Sequence, residues 1–105
     1  MSKIEYAYPL DAESKNYIRI IMEFEEGLKD LVVIYYTTEG EEEIPLVTYD
    51  LAHGFPHRDI RYLDGKDKRR KKRFEVSIDE FYSIALDDIN QNWRKYLDEY
   101  KKVRK

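Results

Sequence analysis

A chain of 105 residues, 42% hydrophobic, is sized for one domain spanning residues 1–105, with a single core and no need of covalent staples. Cysteine is absent, which excludes disulfides, thiolate metal sites and cysteine nucleophiles. The net charge is −3 with 39% charged residues, so any nucleic-acid contact would need a local basic patch rather than a generally cationic surface.

No apolar run approaches the roughly 18–20 residues that cross a bilayer, and the opening Met1-Ser2-Lys3-Ile4-Glu5-Tyr6 lacks a signal-peptide hydrophobic region. The expectation is a soluble cytoplasmic protein with no membrane partner. The near balance of the two signs suits an ion-paired surface and leans toward a heat-adapted, thermophile source. Ten tyrosines serve strands, cores and interfaces alike.

Residues 1–14 read as a short edge strand or arm and a loop, with Pro9 barring a central position. From Tyr17 the period becomes two: Ile18, Ile20, Met22 and Phe24 point one way, and Arg19, Ile21, Glu23 and Glu25 the other. Glu26-Gly27 turns the chain into a second such strand over 28–38. That strand is apolar on both faces, hence central or covered on its second side. A third strand over 44–50 follows the turn at Glu39-Gly40, with Pro45 near its start. Gly54 and Pro56 break the next segment into a loop. His57 to Leu63 and Lys68 to Val76 form the arms of a hairpin turned at Asp64-Gly65.

Val76-Ser77-Ile78-Asp79-Glu80-Phe81 supplies a hydrophobic N′ residue, an N-cap serine, glutamate at N3 and an aromatic at N4, a capping box and a hydrophobic staple together. Phe81, Ala85, Ile89, Trp93, Tyr96 and Tyr100 then recur at three- and four-residue spacings, with Asp87 and Asp88 assigned to the surface. Acidic residues at the start and Lys101, Lys102 and Arg104 at the end complement the helix dipole. The fold expected is α+β: an antiparallel sheet of about four to six strands with one long C-terminal helix packed on one face.

Both histidines fall in residues 48–61, where Asp50, His53, His57 and Asp59 form D-x2-H-x3-H-x-D. Two imidazoles near one another can act as general base and general acid close to neutral pH, with Asp50 orienting a ring. Gly54 and Pro56 can set both rings on one side of a tight loop. The same pair also serves simply as polar surface or as a hydrogen-bonded plug. A metal site would need a third and fourth ligand, and the spacing matches no zinc signature. No metal or cofactor is therefore expected.

Between Arg61 and Arg73 eight basic residues face two acidic ones, so this segment is +6 in a chain whose remainder is −9. With Arg58 it forms a candidate phosphate-binding surface, in which Arg61, Arg69, Lys71 and Arg73 hold a backbone and tyrosines stack single-stranded bases. In a strand, Arg69, Lys71 and Arg73 face one way and Arg70 and Lys72 the other. The bland alternative is a solvated strand edge guarded against aggregation.

Tyr49-Asp50-Leu51-Ala52-His53-Gly54-Phe55-Pro56-His57-Arg58-Asp59 resembles the core of small prokaryotic domain families and, more distantly, the TumE-type toxins of toxin–antitoxin systems. The positions that carry the likeness are Tyr49, Asp50, Ala52, His53, Pro56, His57 and the turn at Asp64-Gly65. Thr48, Arg58 and Asp59 depart from the toxin pattern. The resemblance implies a small RNA-acting protein, a metal-independent endoribonuclease with His53, His57 and Asp50 as catalytic residues, and a cognate antitoxin as partner. The alternative is a non-catalytic binding or structural module, acting on protein or on RNA. A homodimer is a further expectation, since symmetric dimers are the commonest oligomers.

Overall fold

The structure, a computed structural model, describes residues 2–104, and His53 without its side chain. Six antiparallel strands run in sequence order across one sheet, and a single helix packs on one face. The strands are β1 (Ser2–Pro9), β2 (Asn16–Phe24), β3 (Leu28–Glu39), β4 (Glu42–Asp50), β5 (His57–Ile60) and β6 (Lys71–Arg73), and the helix is α1 (Ile78–Val103). A short 3-10 turn over Ala52–Gly54 joins β4 to β5. The architecture is the α+β one that the patterning predicts.

The period-two signal resolves into two faces. Ile18 and Ile20 on β2, Leu31, Val33 and Tyr35 on β3, and Val47 and Tyr49 on β4 are buried toward the helix. Helix residues Phe81, Ala85, Ile89 and Trp93, four apart along one stripe, complete that core. α1 lies over β3 and β4. The opposite face carries half-buried Val32, Ile34 and Tyr36 at the centre, which accounts for a strand apolar on both sides. Tight connections suit the meander: Glu26 and Gly27 both take positive φ, 56° and 117°, in the β2–β3 turn.

Pro45 sits four residues into β4, deeper than the sequence suggests. The register shifts there, with Tyr35 opposite Val47 and Tyr36 opposite Pro45. The extra residue, Leu46, is buried alongside Val47, and this bulge removes the ladder bond that a proline could not donate.

The helix begins at the predicted N-cap: the Ser77 hydroxyl accepts from the Glu80 backbone N–H at 3.2 Å. Two expectations need correction. The hairpin arms are shorter than predicted, ending at Ile60 and confined to Lys71–Arg73. Asp88 is half-buried rather than a free surface residue. Its carboxylate accepts from the Tyr49 hydroxyl, from the Tyr96 hydroxyl at 2.5 Å and from Asn92 Nδ2 at 2.8 Å, fastening the helix to β4. Burial and the Asp88 carboxylate together push both phenols well above the ordinary tyrosine range. Among the described residues, no helix is long and apolar enough to cross a membrane.

Candidate functional site

Asp50 ends β4 and His57 opens β5, and the ladder sets them directly opposite one another. Tyr49 and Arg58, the next pair along, point to the helix side, so Asp50 and His57 project from the open face of the sheet. Their side chains meet, with Nε2 of His57 3.1 Å from Oδ1 of Asp50. The same carboxylate oxygen accepts the backbone N–H of Ala52 at 3.0 Å, closing the turn after β4. Nδ1 of His57 lies 3.3 Å from the carbonyl oxygen of Phe55. Both ring nitrogens thus face acceptors of the protein itself, and the histidine side chain is only 12% exposed. The side chain of His53 lies outside the described residues.

The basic run divides into three fates. Arg69 precedes β6 and turns back to Asp67, at 3.3 Å through Nε and 3.1 Å through Nη2, and to Glu99 on the helix at 2.9 Å. It therefore does not share a strand face with Lys71 and Arg73. These bonds raise the Arg69 guanidinium further and hold the Asp67 carboxyl below its ordinary value. Glu99 is lowered too: burial acts the other way, but hydrogen bonds from Arg69 and Tyr62 outweigh it. Arg70 is also consumed internally, with Nε 3.1 Å from Asp59 and Nη1 on the carbonyls of Arg61 and Leu63.

Lys71, Lys72 and Arg73, by contrast, are all exposed along β6. Lys71 stands opposite Asp59 and Arg73 opposite His57 on the open face, as strand alternation predicts, and Lys72 stands opposite Arg58 on the helix side. Arg58 is half-buried, its charge acting on the Tyr49 and Tyr96 phenols and its Nε lacking a hydrogen-bond partner. Arg61 is exposed beyond the end of β5.

Phe55, His57, Lys71, Lys72 and Arg73 line a cleft of about 270 Å³ at this edge. The Arg73 guanidinium lies 4.3 Å over the Phe55 ring and also 3.2 Å from the exposed Glu75 carboxylate. The Phe55 and His57 rings are tilted against each other at 5.6 Å. Phe55 and Lys72 were not among the residues the sequence singled out. An aromatic between Gly54 and Pro56, held at a loop by its neighbours, was the available signal for Phe55.

Of D-x2-H-x3-H-x-D, Asp50 and His57 are joined, while Asp59 lies two pairs further along the ladder and is paired to Arg70. Among the described residues, no three His, Cys, Asp or Glu side chains converge as metal ligands do. The arrangement provides cations and ring faces at one sheet edge, the chemistry of phosphate contact and stacking.

No curated protein and no solved structure matches the chain. A family model does match, over residues 1–105, and the chain belongs to that family, described as Domain of unknown function (DUF7718).

Proposed function

We propose that this domain is a non-catalytic module that binds single-stranded RNA at the edge formed by β5 and β6. The observation that carries the reading is the cleft lined by Phe55, His57 and three consecutive exposed cations, in which Arg73 lies over the Phe55 ring, Lys71 shares its face of the strand and Lys72 stands on the other. Cations of a strand edge track phosphates, and an aromatic face accepts a base of any identity. Phosphate-backbone contact needs no net positive charge on the whole protein, only a local excess, and the segment from Arg61 to Arg73 has one.

Support for binding over cleavage comes from His57. A general base or acid must present a ring nitrogen to the proton it moves. Here Nε2 is held by Asp50 and Nδ1 faces Phe55, inside a nearly closed environment. The histidine then fixes the loop that carries Phe55, and Arg73 is the group poised to exchange its aromatic contact for a phosphate.

Fluorescence anisotropy of a labelled mixed-sequence single-stranded RNA, titrated over a salt series, tests this. Three phosphate contacts give a log–log salt slope of about −2, at about 0.7 per contact for single strands. Replacing Lys71, Lys72 and Arg73 together by glutamate removes binding, and Phe55→Ala weakens it by the about 1–3 kcal/mol that stacking a base contributes. Absence of binding at low salt, or equal binding by the triple variant, overturns the proposal.

A further inference from the structure

The two edges of the sheet are built on different plans. β6 is three residues long, wholly cationic and exposed, a design that discourages pairing with another strand. β1 is eight residues long and pairs with β2 in unbroken register from Ser2 opposite Phe24 to Pro9 opposite Tyr17. It also displays Ile4 at 46% and Tyr6 at 39% exposure, two of the chain's exposed large hydrophobics. A long, regular edge of this kind is a template for a further strand.

The ladder fixes which backbone groups are available. The Leu10 N–H donates to the Asn16 carbonyl at 2.7 Å, and in antiparallel pairs alternate residues exchange such bonds with the partner strand. Tyr8, Tyr6 and Ile4 share the parity of Leu10 and turn their N–H and C=O groups to β2. Lys3, Glu5, Ala7 and Pro9 turn theirs to the free edge. Pro9 thereby places its missing N–H where β2 does not need it.

We infer that β1 pairs with β1 of a second copy of this chain, antiparallel about a two-fold axis at Ile4, joining two sheets into one. Outward-facing residues must meet outward-facing residues, so the possible registers differ in steps that charge can decide. Centring on Lys3 opposes two ammonium groups, and centring on Glu5 opposes two carboxylates. Centring on Tyr6 sets Lys3 against Pro9 and Glu5 against Ala7. Centring on Ile4 places Lys3 opposite the partner's Glu5 and Glu5 opposite the partner's Lys3. Opposite charges across strands stabilise the pairing and like charges oppose it. Ile4 then forms a non-hydrogen-bonded pair with the partner's Ile4, at the closer Cα spacing of about 4.5 Å, and the two exposed side chains cover each other. Glu5 already lies 3.3 Å from Arg19 Nη1, so it receives a second cation without being stripped of the first. The axis stands perpendicular to the sheet, so both helices lie on one face and the two β6 edges sit at the far ends.

Light-scattering mass and analytical ultracentrifugation of the full chain test the pairing independently of any RNA binding. The wild-type chain is expected at twice the chain mass. Lys3→Glu makes positions 3 and 5 both acidic and Glu5→Lys makes both basic, so each variant alone is expected at the chain mass. Mixed in equal amounts, they are expected to return to twice that mass as a heterodimer. Ile4→Asp opposes two carboxylates on the axis while leaving the Glu5–Arg19 pair intact, and is expected to be monomeric with unchanged helical circular dichroism. A wild-type chain that stays at the chain mass at every soluble concentration overturns the inference. So do single-charge variants that remain dimeric, or a mixture of folded variants that stays monomeric.

Discussion

His57 stands directly across the ladder from Asp50, its Nε2 3.1 Å from the carboxylate that also closes the turn after β4. One aspartate oxygen thus ties together the end of a strand, the loop beyond it and the start of the next strand. The pair stabilises the platform on which Phe55 and Arg73 meet. Asp50→Ala and His57→Ala are each expected to cost about 1–2 kcal/mol in urea unfolding, the range for a partly exposed hydrogen bond that involves a charged group. The double variant should cost less than the sum of the two, because the residues share the contact.

Asp87 and Asp88 are neighbours in sequence with opposite expected effects. Asp88 accepts from Tyr49, Tyr96 and Asn92, and Asp87 is exposed on the outer side of the helix. Asp88→Ala leaves two phenols beneath the helix without their acceptor and is expected to lower stability by about 2–4 kcal/mol. Asp87→Ala should change it by less than about 0.5 kcal/mol. Paired thermal melts read the difference.

The tyrosines make the fold sensitive to alkali. Burial raises Tyr35, Tyr49, Tyr62 and Tyr96, with nearby or hydrogen-bonded carboxylates adding to it. Tyr82, bonded to Tyr6 and partly buried, is pushed up to about 12. A group raised on folding contributes stability that is complete below its unfolded value, about 10 for tyrosine, and declines as pH rises through and beyond it. The phenolate absorbance of the buried set should therefore rise together with loss of helical circular dichroism. Tyr49→Phe removes one of the raised groups and should move that joint transition to higher pH relative to its own neutral-pH stability.

Arg69 and Lys71 are two residues apart and separable by experiment. Arg69 is spent on Asp67 and Glu99, so Arg69→Ala is expected to leave RNA affinity unchanged and to act on acid stability. Glu99 is depressed in the fold, so it contributes stability present above its unfolded value, about 4.3, and lost as pH falls through the folded one. Without Arg69 that acid-side loss becomes shallower. Lys71→Ala should do the reverse, sparing acid unfolding and reducing the magnitude of the salt slope of RNA binding by about 0.7.

The sequence is legible where the determinants are local. Ser77, Glu80 and Phe81 announce the helix start because capping groups lie within one turn, and Ile18, Ile20 and Val33 announce a half-buried sheet because alternation needs no partner. Asp88 was illegible for the converse reason: its role depends on Tyr49, thirty-nine positions away, reaching it across the sheet–helix interface. The basic run misleads in the same manner. Six consecutive cations read as one strand, but Arg69 bonds to Asp67 and to Glu99 of α1, Arg70 pairs with Asp59 and bonds to the carbonyls of Arg61 and Leu63, and β6 begins only at Lys71. The Asp50–His57 contact was visible as a motif, yet its meaning rests on register. Opposition across β4 and β5 is what brings the Asp50 carboxylate to the His57 ring.

Incubation of the purified chain with a labelled single-stranded RNA, followed by gel separation of bound complex and of deproteinised RNA, distinguishes binding at the β5–β6 edge from cleavage. The expected result is a retarded complex that dissolves as salt rises, RNA recovered at full length with or without EDTA, and retained binding by folded His57→Ala. Shortened RNA from the wild-type chain, absent with folded His53→Ala or His57→Ala, would contradict it and restore the paired-histidine ribonuclease.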